Sequence, residues 1–180
     1  MENTKGVKYL KYANGDEHWL NSKGKKLYTK FHDGDEKWYD NKGNVIHIKN
    51  SNGYEEWYEY KGNRTHTKNS NGNEKWYDDK GNITHTKNSN GNEEWFDDKG
   101  NVIHTKNSSG GEKWFDRNDK GNVIHIKNSN GYEVWLDRND KGNRIHIKDS
   151  CGDEVWFDYD DKDNRIHIKD SNGLDTCYNL

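Results

Sequence analysis

The chain is built from one short repeat, and each repeat is long enough for only one hairpin. Tryptophan recurs at intervals of 19 and later of 21 residues, and one further repeat has Cys177 in the same position. The tryptophans are Trp19, Trp38, Trp57, Trp76, Trp95, Trp114, Trp135 and Trp156. A unit of about 20 residues holds two short strands and two turns, and it becomes stable by stacking on its neighbours. The spacing therefore predicts nine tandem hairpins.

Residues 122–142 show how one hairpin pairs. The runs Val123–Asn128 and Tyr132–Asp137 both alternate, and the loop 129–131 fits a three-residue hairpin loop with Gly131 in the left-handed conformation. Counting outward from this loop sets charge opposite charge, aliphatic opposite aliphatic and imidazole opposite indole. A shift of one residue would break every match, so the register is well specified. The predicted pairs are Lys127 with Glu133, Ile126 with Val134, His125 with Trp135 and Ile124 with Leu136.

Glycine marks the turns between strands. Seventeen of the 18 glycines occupy a hairpin turn or a connecting turn, Gly111 is the exception, and Asp163 takes the glycine position in the last connecting turn. No glycine-rich linker divides the chain. We predict an all-β fold with a single domain over residues 1–180. In it, nine tandem hairpins of about 20 residues form an antiparallel meander that twists or coils into a ribbon or solenoid.

Alternation assigns the side chains to two faces of the predicted sheet. The tryptophan face carries His125, Lys127, Glu133, Trp135 and their equivalents, and the opposite face is called the aliphatic face. In the last three repeats the aliphatic face is strongly apolar, and the sequence offers no second layer to cover it. It must therefore fold back, dimerise or meet a partner. Its apolar residues are Ile124, Ile126, Val134, Leu136, Ile145, Ile147, Val155, Phe157, Ile166 and Ile168.

The change from 19 to 21 residues falls between the tryptophan and the next connecting turn. The segment 77–81 (Y-D-D-K-G) becomes 136–142 (L-D-R-N-D-K-G) in a later repeat. We predict that the two extra residues lengthen the connecting loop. Because their number is even, they leave both faces unchanged. All tryptophans are then expected to lie in one column.

Composition excludes several classes of protein. Only 27% of the residues are hydrophobic, 34% are charged and the mean hydropathy is -1.54, but the regular repeat favours order over disorder. The net charge of -3 provides no basic field for nucleic acid or an anionic membrane, and no apolar run is long enough to span a membrane. Residues 1–10 lack the apolar segment of a signal peptide, so we expect a cytoplasmic protein.

The histidines and cysteines do not predict a metal site. Equivalent histidines lie two strands apart, roughly 9–10 Å, which is too far to share one zinc ion. Cys151 and Cys177 occupy different positions of the repeat and predict neither a repeated disulfide nor a metal knuckle. The histidine column instead predicts imidazole packed on indole, and no cofactor is expected. The histidines of this column are His47, His66, His85, His104, His125, His146 and His167.

Lysine and glutamate occupy facing columns beside the tryptophans. The favoured interpretation is a solvated ladder of ion pairs, each worth about 0–1 kcal/mol, and the alternative is a rail for sugars or nucleotides. Rows of Trp, His and Lys also resemble a platform for single-stranded nucleic acid, but the glutamates cancel most of its field. No nucleophile lies beside a unique base, and the histidines and glutamates recur from repeat to repeat, so we predict a non-enzymatic protein.

Arginine is concentrated in the last third of the chain, where the repeat is longer and the aliphatic face most apolar. This region is therefore the best candidate for partner contact, and packing specific to this end of the chain is the alternative. The predicted partner-binding residues are Arg117, Arg138, Arg144, Arg165, Ile126, Ile147, Trp135 and Trp156.

Two families share features with the repeat. The stretches 76–82 (W-Y-D-D-K-G-N) and 95–101 (W-F-D-D-K-G-N) resemble the Y-D-x-x-G-N core of YD repeats, as in Rhs-type proteins. That resemblance implies β-hairpin ribbons that coil into shells or adhesion scaffolds. The period of about 20 residues, with an aromatic pair followed by a glycine turn, is also similar to choline-binding cell-wall repeats. That similarity implies binding to cell-wall glycans.

These observations predict a repeat protein that presents a surface to another macromolecule. The first expectation is protein binding through the last three hairpins, as an adaptor or as an inhibitor of a host defence complex carried by a mobile element. A cell-wall glycan-binding module, which would imply a cell-surface location, is the second. Self-assembly, including a homodimer through the aliphatic face, is the third. Direct nucleic-acid or membrane binding is not expected.

Overall fold

The computed structural model describes residues 6–178, and every regular element in that range is a β-strand. The chain divides into two compact units, Met1–Gly100 (unit 1) and Asn101–Leu180 (unit 2). Residues 1–5, part of the stretch in which no signal peptide is predicted, lie outside the described residues. The single domain predicted for residues 1–180 stays a prediction.

The strands are short throughout. Unit 1 contains β1 (Lys8–Lys11), β2 (Glu17–Leu20), β3 (Lys26–Lys30), β4 (Glu36–Tyr39), β5 (Val45–Lys49), β6 (Glu55–Tyr58), β7 (Arg64–Lys68), β8 (Glu74–Tyr77), β9 (Ile83–Lys87) and β10 (Glu93–Phe96). Unit 2 contains β11 (Val102–Lys106), β12 (Glu112–Arg117), β13 (Val123–Asn128), β14 (Glu133–Arg138), β15 (Arg144–Asp149), β16 (Glu154–Tyr159), β17 (Arg165–Asp170) and β18 (Asp175–Cys177).

Within each unit, every strand pairs antiparallel with the next strand in the chain. The pairing runs from β1 to β10 in unit 1 and from β11 to β18 in unit 2. This order is a meander of hairpins, in which each turn joins neighbouring strands. The predicted fold class, an all-β meander of tandem hairpins, is confirmed.

The turns combine a left-handed glycine with an Asn or Asp side chain. Gly131 has φ +87°, and its amide donates to the Asn128 carbonyl at 3.0 Å. In a connecting turn, Asp78 Oδ1 accepts the amides of Lys80 and Asn82 at 2.9 and 2.8 Å. Such side-chain bonds replace the backbone bonds that a tight turn leaves unmade. These two residue types therefore fix the loop length, and with it the register.

One turn lacks glycine. Asp163 takes the glycine position and is the one non-glycine residue with positive φ (67°) among residues 6–178. Its carboxylate accepts from Asn143 Nδ2 at 2.9 Å and forms an ion pair with Lys141 at 3.1 Å. Asp is among the few side chains that tolerate this conformation. The prediction that Asp163 substitutes for a turn glycine is confirmed.

The register predicted for the hairpin at residues 122–142 is confirmed for three of its four pairs. Lys127 lies opposite Glu133, Ile126 opposite Val134, and His125 opposite Trp135. The pairing stops there because a bulge lies next to it: Asp116 is opposite His125 and Arg117 is opposite Val123, so Ile124 has no partner on β12. Ile145 and Ile166 occupy the same bulge position in the following repeats.

In unit 1 the 19-residue repeat keeps equivalent side chains in straight rows across the sheet. On the tryptophan face, one row is aromatic and runs through Tyr9, Trp19, Tyr28, Trp38, His47, Trp57, His66, Trp76, His85 and Trp95. The neighbouring row alternates lysine and glutamate from Lys11 to Glu93. The predicted tryptophan column therefore exists in unit 1.

In unit 2 the two extra residues lengthen the strands, not the loop, and the prediction of a longer connecting loop was wrong. The turn Asn118–Asn122 keeps the hydrogen bonds of the turn Asp78–Asn82, whereas β12 has six residues against four in β10. The register consequently moves by two residues at each connecting turn. Trp135 faces His125 on one side but Lys148 on the other. The single column of tryptophans was also wrong for this unit.

Considered by itself, each unit is a single layer of strands in its described residues. Among residues 6–178, Leu136 is the one apolar side chain that is buried, at 7% exposure. Most strand side chains are half-buried against their cross-strand neighbours. Stability must therefore come from contacts along the rows and from the backbone ladder. Among residues 6–178, no helix is long and apolar enough to cross a membrane.

Deleting Asp116 and Arg117 is expected to restore the straight aromatic row at this repeat. The shortened strand would place Trp114 opposite His125 in place of Lys127, as in the 19-residue repeats. NMR should then detect contacts between the Trp114 indole and the His125 ring that the unaltered protein lacks. The matched deletion of Asp137 and Arg138 should join Trp135 to His146. A folded deletion variant without the new ring contacts would contradict the assignment of the extra residues to the strand.

Candidate functional site

The aromatic row of unit 1 is continuous and closed to ligands. From Trp38 to Trp95, successive Trp and His rings stack at 4.3–4.6 Å between centroids, with interplanar angles of 10–23°. Each imidazole between them is covered on both faces by indole. The prediction of imidazole packed on indole is confirmed. This row is a structural element, because its π faces are already occupied.

The histidines of unit 1 also bind the glutamates of the charged row. His47, His66 and His85 contact a glutamate two strand positions from the stacked tryptophan, with Nε2–Oε2 distances of 2.8–2.9 Å. The same glutamates form looser ion pairs with lysine, such as Lys68 with Glu74 at 3.7 Å. The predicted ion-pair ladder is confirmed, but the shorter imidazole contact to these glutamates was missed.

Unit 2 carries three exposed indoles that step diagonally across the sheet, and these are called the indole row: Trp114, Trp135 and Trp156. Each stacks on a histidine of the preceding strand, at 4.9, 5.2 and 5.1 Å between centroids. Their exposures are 39%, 42% and 39%, whereas the tryptophans of unit 1 fall below the exposed range. The shifted register causes the difference, because it places lysine where unit 1 has the next imidazole.

Each of the last three histidines lies between two carboxylates, and this arrangement is called a carboxylate clamp. His125 Nδ1 lies 2.8 Å from Asp116 Oδ2, and its Nε2 lies 3.0 Å from Glu133 Oε2. His146 is held by Asp137 and Glu154 in the same way. Sequence reasoning missed these clamps, although the inserted Asp of each 21-residue repeat was a signal for them.

The clamps do not form a metal centre. In each clamp the two carboxylates approach opposite nitrogens of the same ring, so their oxygens do not converge on one point. Residues 6–178 contain no group of three His, Cys, Asp or Glu side chains placed to hold a metal ion. Zinc requires four converging ligands at about 2.0–2.3 Å.

The open side of the indole row is lined by ion-paired lysines. Trp135 is opposite Lys148, whose ammonium lies 2.9 Å from Glu154, and Lys127 lies 3.2 Å from Glu133. Hydrogen bonds from Lys127 and then from His125 hold the pKa of Glu133 below its ordinary value. Trp135 therefore lies between the Asp116–His125 contact and the Lys148–Glu154 ion pair.

The opposite face of unit 2 carries three apolar rows, called the apolar rows. Their cross-strand members are Phe115–Ile126–Val134, Leu136–Ile147–Val155 and Phe157–Ile168. Two rows end on a carboxylate, because Val134 is opposite Asp149 and Val155 is opposite Asp170. At the last row, the guanidinium of Arg165 lies over the Phe157 ring, 5.7 Å from its centroid.

Two of the predicted partner-binding arginines are used inside unit 2. Arg117 donates to the Val102 carbonyl from Nε and Nη2 at 3.1 and 2.9 Å, and to the Gly121 carbonyl at 2.8 Å. Arg138 binds the carbonyls of Val123 and Gly142 in the same way. These contacts match the alternative interpretation, packing specific to this end. Arg144 and Arg165 are exposed.

The remaining predicted residues do not form one surface. Trp135 and Trp156 belong to the indole row, whereas Ile126 and Ile147 lie on the opposite face in the apolar rows. A single flat partner cannot contact both sets at once. The partner-binding role of all eight residues stays a prediction, now divided between two surfaces.

Comparison with known proteins gives no family. No family model matches the chain, and no curated protein matches it. Among solved structures, the G-box domain of the microcephaly protein CPAP is 14% identical with a TM-score of 0.41, covering 97% of this chain and 99% of that chain.

Two further solved structures show similarity of the same order. The TCP10 domain of Danio rerio CPAP, in complex with a peptide of Danio rerio STIL, is 15% identical with a TM-score of 0.46, covering 99% and 98%. A TcdB2-TccC3 chain is 12% identical with a TM-score of 0.38, covering 83% of this chain and 9% of that chain. Because these TM-scores are below 0.5, no inference about function rests on them.

Replacing Trp76 by alanine should destabilise the protein more than replacing Trp156. Trp76 loses two imidazole stacks, at 4.6 and 4.3 Å, whereas Trp156 loses one at 5.1 Å. We expect a loss of about 3 kcal/mol for Trp76→Ala and roughly half of that for Trp156→Ala. Chemical denaturation followed by circular dichroism measures both. Equal losses of stability in the two variants would show that the second imidazole stack of Trp76 contributes nothing.

The stabilising effect of His167 should decrease as the pH rises. Hydrogen bonds to Asp175 (2.8 Å) and Asp158 (2.9 Å) raise the pKa of His167 above its ordinary value. The charged ring therefore stabilises the fold fully below about pH 6.5, and this contribution disappears as the pH rises through the raised folded pKa. His167→Gln should cost more stability at about pH 5.5 than at about pH 9. A cost that does not change with pH would contradict the clamp.

Proposed function

We propose that this chain is a non-enzymatic binding protein whose apolar rows in unit 2 contact another protein. The observation that carries the proposal is the run of eight Ile, Val, Leu and Phe side chains in cross-strand contact on one sheet face. Only Leu136 among them is buried. Apolar surface removed from water contributes about 25 cal/mol per Å², so an uncovered surface of this kind favours association.

The ends of the apolar rows define the chemistry of the partner. Asp149 and Asp170 lie at one end of their rows, and Arg165 lies against Phe157 in the last row. A complementary partner has an apolar centre, with basic groups near the two aspartates and an acidic group near Arg165. Charge complementarity of this kind sets the orientation and the association rate more than the affinity.

The finer role within this proposal is that of an adaptor, or of an inhibitor of a host defence complex carried by a mobile element. It is supported by the small repeat architecture and by a recurring set of histidines and glutamates with no unique catalytic group. A cytoplasmic location and a relation to YD repeats belong to the same proposal. A second copy of the chain is the competing occupant of the apolar rows.

A charge placed in the apolar rows should abolish partner binding. In the double variant Ile126→Asp and Ile147→Asp, two carboxylates would lose their hydration at the interface, which is strongly unfavourable. The control Thr86→Asp adds a carboxylate at the position equivalent to Ile126 in the aliphatic face of unit 1. Tagged proteins of all three kinds would be used to isolate partners from the native host. Any partner would then be purified and its affinity measured by calorimetry.

The expected result is one protein that binds the unaltered chain and Thr86→Asp with equal affinity, and the double variant at least about a hundredfold more weakly. Light scattering on the unaltered chain tests the competing occupant. A concentration-dependent dimer that the double variant loses would assign the apolar rows to self-assembly. A partner that binds the folded double variant normally would refute the proposal.

A further inference from the structure

We propose that the indole row of unit 2 is a second binding site and that its ligand is an uncharged, extended polysaccharide. The site consists of Trp114, Trp135 and Trp156, each stacked on a histidine by one ring face and open on the other. It lies on the sheet face opposite the apolar rows. The proposal for this site can therefore be tested independently of the proposal for the apolar rows.

Trp135 and Trp156 have equivalent polar neighbours. Five residues follow one another across five strands in the order Asp116, His125, Trp135, Lys148 and Glu154. The next row repeats this order with Asp137, His146, Trp156, Lys169 and Asp175. An indole face binds the C–H face of a pyranose ring, while carboxylate oxygens and the lysine ammonium bind its hydroxyls.

The charges of the site favour a neutral ligand. Near Trp135, Lys148 is paired with Glu154 at 2.9 Å and Asp116 contacts the His125 ring at 2.8 Å, so the ammonium already has a counterion. A phosphate backbone would find no uncompensated cation in these pairs. Nucleic-acid platforms combine stacking with a positively charged groove. Hydroxyl groups, in contrast, form hydrogen bonds to ion-paired side chains without breaking the pairs.

The spacing of the indoles favours a polymer over a single sugar. Successive members of the indole row lie two strands apart and are displaced by two residues along the strand, which is roughly 12 Å at the usual strand dimensions. In an extended β-1,4-linked chain, a little more than two sugar residues cover this distance, so a chain that runs along the diagonal meets successive indoles at intervals of two to three sugars. Three weak stacking contacts then act together on one chain. A chain that spans the row has about five or six sugars, because Trp114 and Trp156 are separated by four strand steps and by a register shift of four residues.

The aromatic row of unit 1 provides an internal comparison. It consists of the same residue types, tryptophan and histidine, but each ring between Trp38 and Trp95 is covered by its neighbours at 4.3–4.6 Å. A sugar cannot reach those ring faces without separating the stack. Binding should therefore be confined to unit 2, which distinguishes the proposal from nonspecific adsorption to tryptophan.

Calorimetry of the full chain with cello-oligosaccharides and chito-oligosaccharides of two to six sugars tests the proposal. Affinity for one of the two series should rise with length up to about five or six sugars. In NMR spectra with the hexasaccharide, the indole N–H signals of Trp114, Trp135 and Trp156 should shift, while those of Trp57 and Trp76 stay in place. The NMR readout uses the unaltered chain and does not depend on a variant folding.

Two variants complete the test. Trp135→Ala should weaken hexasaccharide binding about tenfold by removing the central platform. Lys148→Met keeps the aliphatic stem and removes the ammonium, and it should weaken binding about threefold. Its matched control is Lys87→Met in the charged row of unit 1, which should bind as the unaltered chain does.

Several results would overturn the proposal. These are no binding of either hexasaccharide at millimolar concentration, affinity independent of length, or unchanged binding by folded Trp135→Ala. A twelve-residue oligothymidylate that shifts the same three indole signals, with neither sugar doing so, would assign the row to single-stranded nucleic acid. None of these results bears on the apolar rows, which are tested by their own variants.

Discussion

Cross-strand register is the constraint on which every surface of this protein depends. The turns set it, because a left-handed glycine and an Asn or Asp side chain fix the number of residues in each loop. Once the loop length is fixed, alternation decides which side chains share a face and which lie opposite. Within each unit, stacks, ion pairs and apolar rows all follow from the same count of residues.

The two extra residues of each 21-residue repeat make the difference between the structural aromatic row of unit 1 and the candidate binding surface of unit 2. In unit 1, equivalent residues lie in straight rows, so aromatic rings meet aromatic rings and lysines meet glutamates. In unit 2, the inserted pair moves the register by two at each connecting turn, so one row mixes Asp, His, Trp, Lys and Glu. The indoles lose one stacking partner and gain a polar border. Since the described residues of unit 2 form a single layer, its two faces are separate candidate surfaces for ligands of different chemistry.

The sequence by itself determined the hairpins, their turns and most of their pairs. Glycine positions, together with Asp163, marked every turn, and complementary residues such as Lys127 and Glu133 specified the hairpin register. These features are local, since a loop of three residues and the strands beside it contain all the information needed. The stacking of imidazole on indole was predictable for the same reason.

Only the tertiary structure decided how neighbouring hairpins are aligned. The sequence showed where the two extra residues of the longer repeat lie. It could not show whether they extend the loop or the strand, because both changes add the same two residues to the sequence. The backbone bonds of the turn at 118–122 place them in the strand, and this choice puts Asp116 beside His125 and leaves one face of Trp135 open. It also showed that Arg117 and Arg138 bind backbone carbonyls. Such contacts depend on the three-dimensional alignment of strands, and alternation within one hairpin does not determine that alignment.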